Sequence, residues 1–141
     1  MRILIALAAA LFLAAPAAAS DISDGRSLSN ACEALRETTA GGAKAPTTDP
    51  CRAWLFNFFT VYKEAYDARV AAYLSGGASE PHAGPCFRPP DFISFVDVAG
   101  LVVAQGKARP DLLDGPAESL VLEAMAAAYP CDAPDDAATK P

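Results

Sequence analysis

Ala126-Ala127-Ala128-Tyr129-Pro130-Cys131 closes an Ala-rich run with a proline and then a cysteine. Alanine is the best helix former, and proline cannot continue a helix because it lacks an N–H and its ring clashes with the preceding turn. The stretch therefore reads as a helix end that delivers Cys131 to a fixed place just beyond it. Three more cysteines, Cys32, Cys51 and Cys86, lie upstream, and all four follow an apolar leader. An even cysteine count behind an export signal reads first as disulfides.

The leader is residues 1–19. Arg2 supplies the positive start, Ile3 to Ala15 is apolar throughout, Pro16 breaks any helix, and Ala17-Ala18-Ala19 offers small residues to a signal peptidase. The apolar run is shorter than the ~20 residues a membrane span needs. Cleavage before Ser20 leaves 122 residues of the 141, one domain in size, with no membrane segment expected in the mature chain. Loss of Arg2 takes the formal charge from −6 to −7. An acidic surface without a basic stripe excludes nucleic acid as a natural partner, favours solubility and steers basic proteins.

Working upstream from Cys131, the signals are helical and no convincing strand emerges. Leu120, Val121, Ala124 and Ala128 line one face of the last helix, and Leu122, Met125 and Tyr129 line another. A helix apolar on two faces is central or shared, so Leu122, Met125 and Tyr129 are candidates for a homodimer interface. Asp114-Gly115-Pro116 is expected to start this helix by a cap followed by proline. Before it, Ser94 and Asp97 make a capping pair for a third helix with Val98, Ala99, Val102 and Val103 on its core face, and Gly106 is expected to end it.

The second helix is the best signalled. Asp49 caps it and Pro50 suits its first turn. Cys51, Leu55, Phe58, Tyr62, Tyr66 and Tyr73 share one face, and Gly76-Gly77 can take the left-handed stop. Interior Lys63, Glu64, Asp67 and Arg69 exclude a membrane span. Arg69 falls inside the aromatic stripe and is expected to stack on the rings or to meet a carboxylate from another helix. Phe56 points to the polar side and is expected to be covered by a loop or a helix, with a partner contact as the competing assignment. Leu28, Cys32 and Leu35 mark a shorter first helix from about Ser27 to Glu37. Residues 78–90 read as loop, and residues 132–141 as an acidic, disordered tail.

The reading is thus an all-α, compact four-helix domain over residues 20–131, stapled by two disulfides. Short connections make successive helices antiparallel neighbours. Cys86 precedes the third helix and Cys131 follows the fourth, while Cys32 and Cys51 flank the loop between the first two. Of three pairings, this geometry selects Cys32–Cys51 and Cys86–Cys131. At roughly 3 to 4 kcal/mol each by the chain-entropy argument, their reduction is expected to unfold or badly loosen the domain.

No catalytic constellation accompanies this frame. His82, the one histidine, sits in the loop Ser79-Glu80-Pro81-His82-Ala83-Gly84-Pro85 with no orienting partner. No serine lies in a strand–turn–helix context, no glycine loop cradles phosphate, and no cysteine pair has two-residue spacing. No enzyme activity, cofactor or metal is expected.

Several stretches together carry a family resemblance: Cys51-Arg-Ala-Trp54, Cys86-Phe-Arg-Pro-Pro-Asp, Pro110, Pro116-Ala-Glu-Ser-Leu-Val-Leu-Glu-Ala-Met and Ala128-Tyr-Pro-Cys131. The chain resembles the Rap/Tai group of periplasmic immunity proteins of type VI secretion, from about Ser27 to Cys131. It departs from the group at Asn57, where members often carry glycine, and in its long segment from Ser75 to Pro90. The resemblance implies a compact helical, often dimeric periplasmic protein that neutralises a peptidoglycan amidase toxin by occluding its active site. The segment from Gly76 to Pro90 is the least constrained, which makes His82, Phe87 and Arg88 candidate partner contacts. Packing of Phe87 against the neighbouring disulfide is the competing assignment. Two other functions stay open: an orphan envelope domain of the same fold, and an acid-stress periplasmic chaperone.

Overall fold

The computed structural model describes residues 21–76 and 85–131. The leader, His82 and the acidic tail lie outside them. The described chain forms α1 (Gly25–Thr39), α2 (Pro50–Leu74), α3 (Phe95–Ala108), a short 3-10 helix (Pro110–Asp114) and α4 (Ala117–Ala128). Two isolated bridges, Asp24 to Pro116 and Phe87 to Pro130, are the only extended pairings among the described residues. None of the helices there is long and apolar enough to cross a membrane.

The helix starts follow local chemistry. Asp24 accepts from the Ser27 N–H at 2.7 Å, and the Ser27 hydroxyl accepts from the Asp24 N–H at 3.3 Å. This reciprocal cap starts α1 two residues earlier than its apolar spacing suggested. The hydroxyls of Thr38 and Thr39 bond back to the carbonyls of Ala34 and Leu35, which carries the helix on to Thr39. Asp49 accepts from the Arg52 N–H at 3.0 Å ahead of Pro50. Gly76, at φ 76°, follows the end of α2, in a conformation that any side chain would strain. Ser94 and Asp97 form the capping box of α3.

Two sequence expectations are corrected here. Gly106 does not end α3; it is buried inside it, against Ser29 of α1 and Leu113 of the 3-10 helix. Its role is close approach. Asp114 does not cap α4. The α4 N-cap is Pro116, without a side-chain hydrogen bond. Asp114 belongs to the 3-10 helix and accepts from the Arg26 guanidinium at 2.6 Å. The start of α4 is instead tied by backbone to the start of α1: Ala117 N–H donates to Ser23 O at 3.4 Å, and Gly25 N–H donates to Gly115 O at 2.9 Å.

α3 is the central helix. It runs antiparallel to α1, with Gly106 beside Ser29 and Gly100 beside Arg36, and Lys107 pairs with Glu33 across the two at 2.9 Å. Its residues Val98, Ala99, Val102 and Val103 are buried against Leu28, Cys32 and Leu35 of α1 and against Leu120, Val121, Ala124 and Met125 of α4. Each large apolar side chain so enclosed contributes roughly 1.5–3 kcal/mol. The disulfide Cys32–Cys51 lies wholly inside this core and fixes α2 to α1 with Cα atoms 4.9 Å apart. Cys86–Cys131 closes the other end, Cα atoms 5.3 Å apart, and is half-buried. Both pairings are those the antiparallel geometry selects.

α2 is different in kind. It is 25 residues long, about 37 Å at the standard rise, yet only Cys51 and Leu55 are buried. Its outer half projects past the bundle with Val61, Tyr66, Tyr73 and Leu74 exposed.

Candidate functional site

The projecting half of α2 and the segment after Cys86 face each other across a groove of about 500 Å³. Phe59, Tyr62 and Tyr66 of α2 form one wall. Phe87, Arg88 and the Cys86–Cys131 disulfide form the other. The second wall is held by three links to the end of α4. The disulfide is one; Arg88 N–H donating to Tyr129 O at 2.9 Å and Cys131 N–H donating to Cys86 O at 3.3 Å are the others.

A ladder of rings ties the groove to the foot of α2. Trp54 stacks on Phe58 with centroids 5.4 Å apart, Phe58 on Tyr62 at 6.0 Å, and Tyr62 on Phe87 at 5.1 Å. Each such pair adds about 0.5–1.5 kcal/mol beyond the area it buries. The ladder is anchored where the Trp54 indole N–H donates to Ile22 O at 3.1 Å. Burial among these rings pushes the Tyr62 phenol above its usual range, partly opposed by the Arg69 charge.

The residues singled out from sequence fall as follows. Phe87 is half-buried, stacked on Tyr62 and packed against the core, so its ring is largely committed within the chain. Arg88 is exposed at the groove. His82 lies outside the described residues. On α4, Met125 is fully buried in the chain's own core, which removes it as a contact for a second copy; Leu122 and Tyr129 are half-buried. Among the described residues Arg69 meets no carboxylate of another helix, and its Nε–H donates to Ala65 O of its own helix at 3.2 Å. Phe56 is not covered. It stays 63% exposed, with one edge contact to Phe95 at 6.4 Å.

Two features escaped the sequence reading. The stripe Tyr62, Tyr66 and Tyr73 continues the core-facing side of α2, but the bundle ends before it does, so these rings build a surface. The half-buried charge in the middle of the stripe, Arg69, was the available signal. The second is Phe92, which is 96% exposed, just before the α3 cap. Its isolation between Asp91 and Ile93 shows no periodicity to read.

A second hollow of about 500 Å³ sits beside the start of α3, between Lys44 and Arg52 on one side and Ile93 and Phe95 on the other. The Arg52 guanidinium there donates to Ala45 O at 2.9 Å. No buried polar or charged side chain occurs among the described residues, and no three His, Cys, Asp or Glu side chains there converge as metal ligands would. The ion pairs Arg26–Asp114, Lys107–Glu33, Arg109–Asp111 and Lys63–Asp67 are all at the surface. What these features offer is shape and apolar contact, the attributes of a binding surface.

Comparison with known proteins agrees with that character. No curated protein and no solved structure matches the chain. The family model of the Rap1a immunity proteins matches residues 24–131, from the α1 cap to the last cysteine. That span takes in all four α-helices and both disulfides, and the chain belongs to the Rap1a immunity proteins.

Proposed function

We propose that this protein protects the periplasm by binding a peptidoglycan amidase delivered through type VI secretion and occluding its active site. The observation that carries the reading is membership of an immunity family over the whole helical domain. Immunity of this kind needs a protein that survives an oxidising compartment and presents a stiff surface. Two intramolecular disulfides suit the first requirement. The second is met by the segment from Phe87 onward, clasped to the end of α4 and backed by the aromatic ladder. A stiff contact segment loses little conformational entropy on docking, so more of its contact energy appears as affinity. The formal charge of −7 left after loss of Arg2 with the leader speeds encounter with a basic partner. The same disulfides, together with the leader expected at residues 1–19, support a periplasmic location. Binding blocks access to the toxin's catalytic groove, and no bond is made or broken by the immunity protein.

The test is survival. A candidate peptidoglycan amidase effector is exported to the periplasm of a sensitive host, with and without this protein. Restored colony counts, with the two proteins co-purifying, are the expected result. Lysis that proceeds unchanged in its presence sinks the reading for that toxin.

A further inference from the structure

Phe92 is the most exposed large apolar side chain of the described residues, at 96%; Leu74 follows at 78% and Phe56 at 63%. One exposed apolar residue is ordinary on a protein surface. What distinguishes Phe92 is how it is held. Upstream, the chain is fastened by Cys86–Cys131, by the Phe87–Pro130 bridge and by Arg88 N–H to Tyr129 O. Downstream, Ile93 packs against the core and Ser94 opens α3 with its capping box. Only Pro89, Pro90, Asp91 and Phe92 bridge these anchors, and both prolines have φ locked by their rings.

Its position is as telling as its exposure. Phe87, Arg88 and Pro89 line the aromatic groove, while Ile93, Ser94 and Phe95 line the hollow at the start of α3. Phe92 therefore stands on the strip of chain that separates two concavities, each of about 500 Å³. A knob between two hollows is the complement of a pocket between two ridges. Lys44 and Arg52 at the second hollow would meet a carboxylate on the flanking ridge.

We propose that Phe92 is the anchor of this protein's partner-binding surface, seating its benzyl group in an apolar pocket of a partner protein whose flanking ridges enter the two hollows. The identity of that partner as an amidase rests on the function proposed above; the anchor role of Phe92 does not. Burial of a preorganised aromatic ring at the centre of an interface is what makes a hot spot.

The experiment places benzoylphenylalanine at position 92, and in a second strain at position 56, of the full-length protein exported in its native host. Illumination should give a discrete adduct from position 92. The adducted protein, identified and purified, is then titrated against wild type, Phe92→Ala and Phe56→Ala. The expected result is a loss of at least about 30-fold in affinity for Phe92→Ala, the size of a hot-spot truncation, with an unchanged melting temperature and little effect of Phe56→Ala. An adduct with an amidase supports both proposals. An adduct with another protein that shows the same loss supports the anchor and overturns the amidase reading. No adduct at position 92, or affinity unchanged in Phe92→Ala, overturns the anchor.

Discussion

A methyl group added at Gly25 would stand 2.3 Å from the Leu112 carbonyl oxygen and 3.1 Å from Leu113 Cα, both backbone. At Gly106 it would meet the Leu113 Cδ2 atom at 2.8 Å, the mobile end of a side chain, and Ser29 Oγ at 3.3 Å. The two glycines do similar work, bringing α1, α3 and the 3-10 helix into contact, but the neighbours differ in their freedom to move. Gly25→Ala must displace a 3-10 helix that is itself tied by Gly25 N–H to Gly115 O, so a loss of about 3 kcal/mol or more is expected. Gly106→Ala can rotate Leu113 and gains up to ~1 kcal/mol of helix propensity, so a loss of about 1 kcal/mol or less is expected. Urea midpoints of the two variants decide; a larger loss for Gly106→Ala would contradict the geometry. Neither glycine's role is visible in sequence. Gly106 reads as a stop signal because glycine commonly follows a helix end, and only the partner helix reveals that the position is crowded.

α2 shows how one periodic stripe can serve two ends. From Cys51 to Leu55 the stripe is core; from Tyr62 to Tyr73 it overhangs, because α1 and α3 are too short to follow a helix of 25 residues. An unsupported helical stretch of about a dozen residues, such as 63–74, is marginal in water. Amide exchange at residues 63–74 should be faster than in α3 by about 100-fold or more, measured by hydrogen exchange with mass spectrometry. Equal protection would mean that something covers the overhang. The disulfides divide in the same way. Cys32 and Cys51 are fully enclosed, whereas Cys86 and Cys131 are half-buried at the groove. A dithiol reductant should therefore free Cys86 and Cys131 first, read by timed alkylation and peptide mass spectrometry. Early labelling of Cys32 would refute this. Replacing the inner pair by Cys32→Ser and Cys51→Ser should cost at least ~3 kcal/mol, since the cross-link goes and polar hydroxyls enter the core.

At the scale of the molecule, charge sets the pH range of stability. The Asp24 carboxyl is held below its ordinary value of 3.8 by hydrogen bonds from Ser27, and Asp111 below the same value by Arg109. Carboxyls depressed on folding stabilise fully above the unfolded value and lose that stabilisation as pH falls through the folded one. The Tyr62 phenol is raised above 10.0 by burial, so its contribution is complete below that value and disappears as pH climbs through the folded one. Melting temperature should then be flat from about pH 5 to pH 9 and fall outside that range, and Tyr62→Phe should soften the alkaline fall. A steady decline between pH 9 and pH 5 would show that other groups dominate. Of the three residues expected to meet a second copy, Leu122 and Tyr129 keep some exposure, whereas Met125 faces the interior. In the fold, Leu120, Val121, Ala124 and Met125 make one buried face of that helix, while Leu122 stays half-buried and Ala128 exposed.

Helix identity, the starts of α2 and α3, and both disulfide pairings were determined by the sequence alone. Caps, prolines and apolar periods act over a few residues, and antiparallel neighbours with short connections leave one economical way to join four cysteines. The 3-10 helix, the tie between Ser23 and Ala117, the crowding at Gly106, the overhang of α2 and the exposure of Phe92 were decided by tertiary structure. Each depends on where one element ends relative to another that is distant along the chain. An apolar residue carries the same local signal whether a neighbour reaches it or stops one turn short.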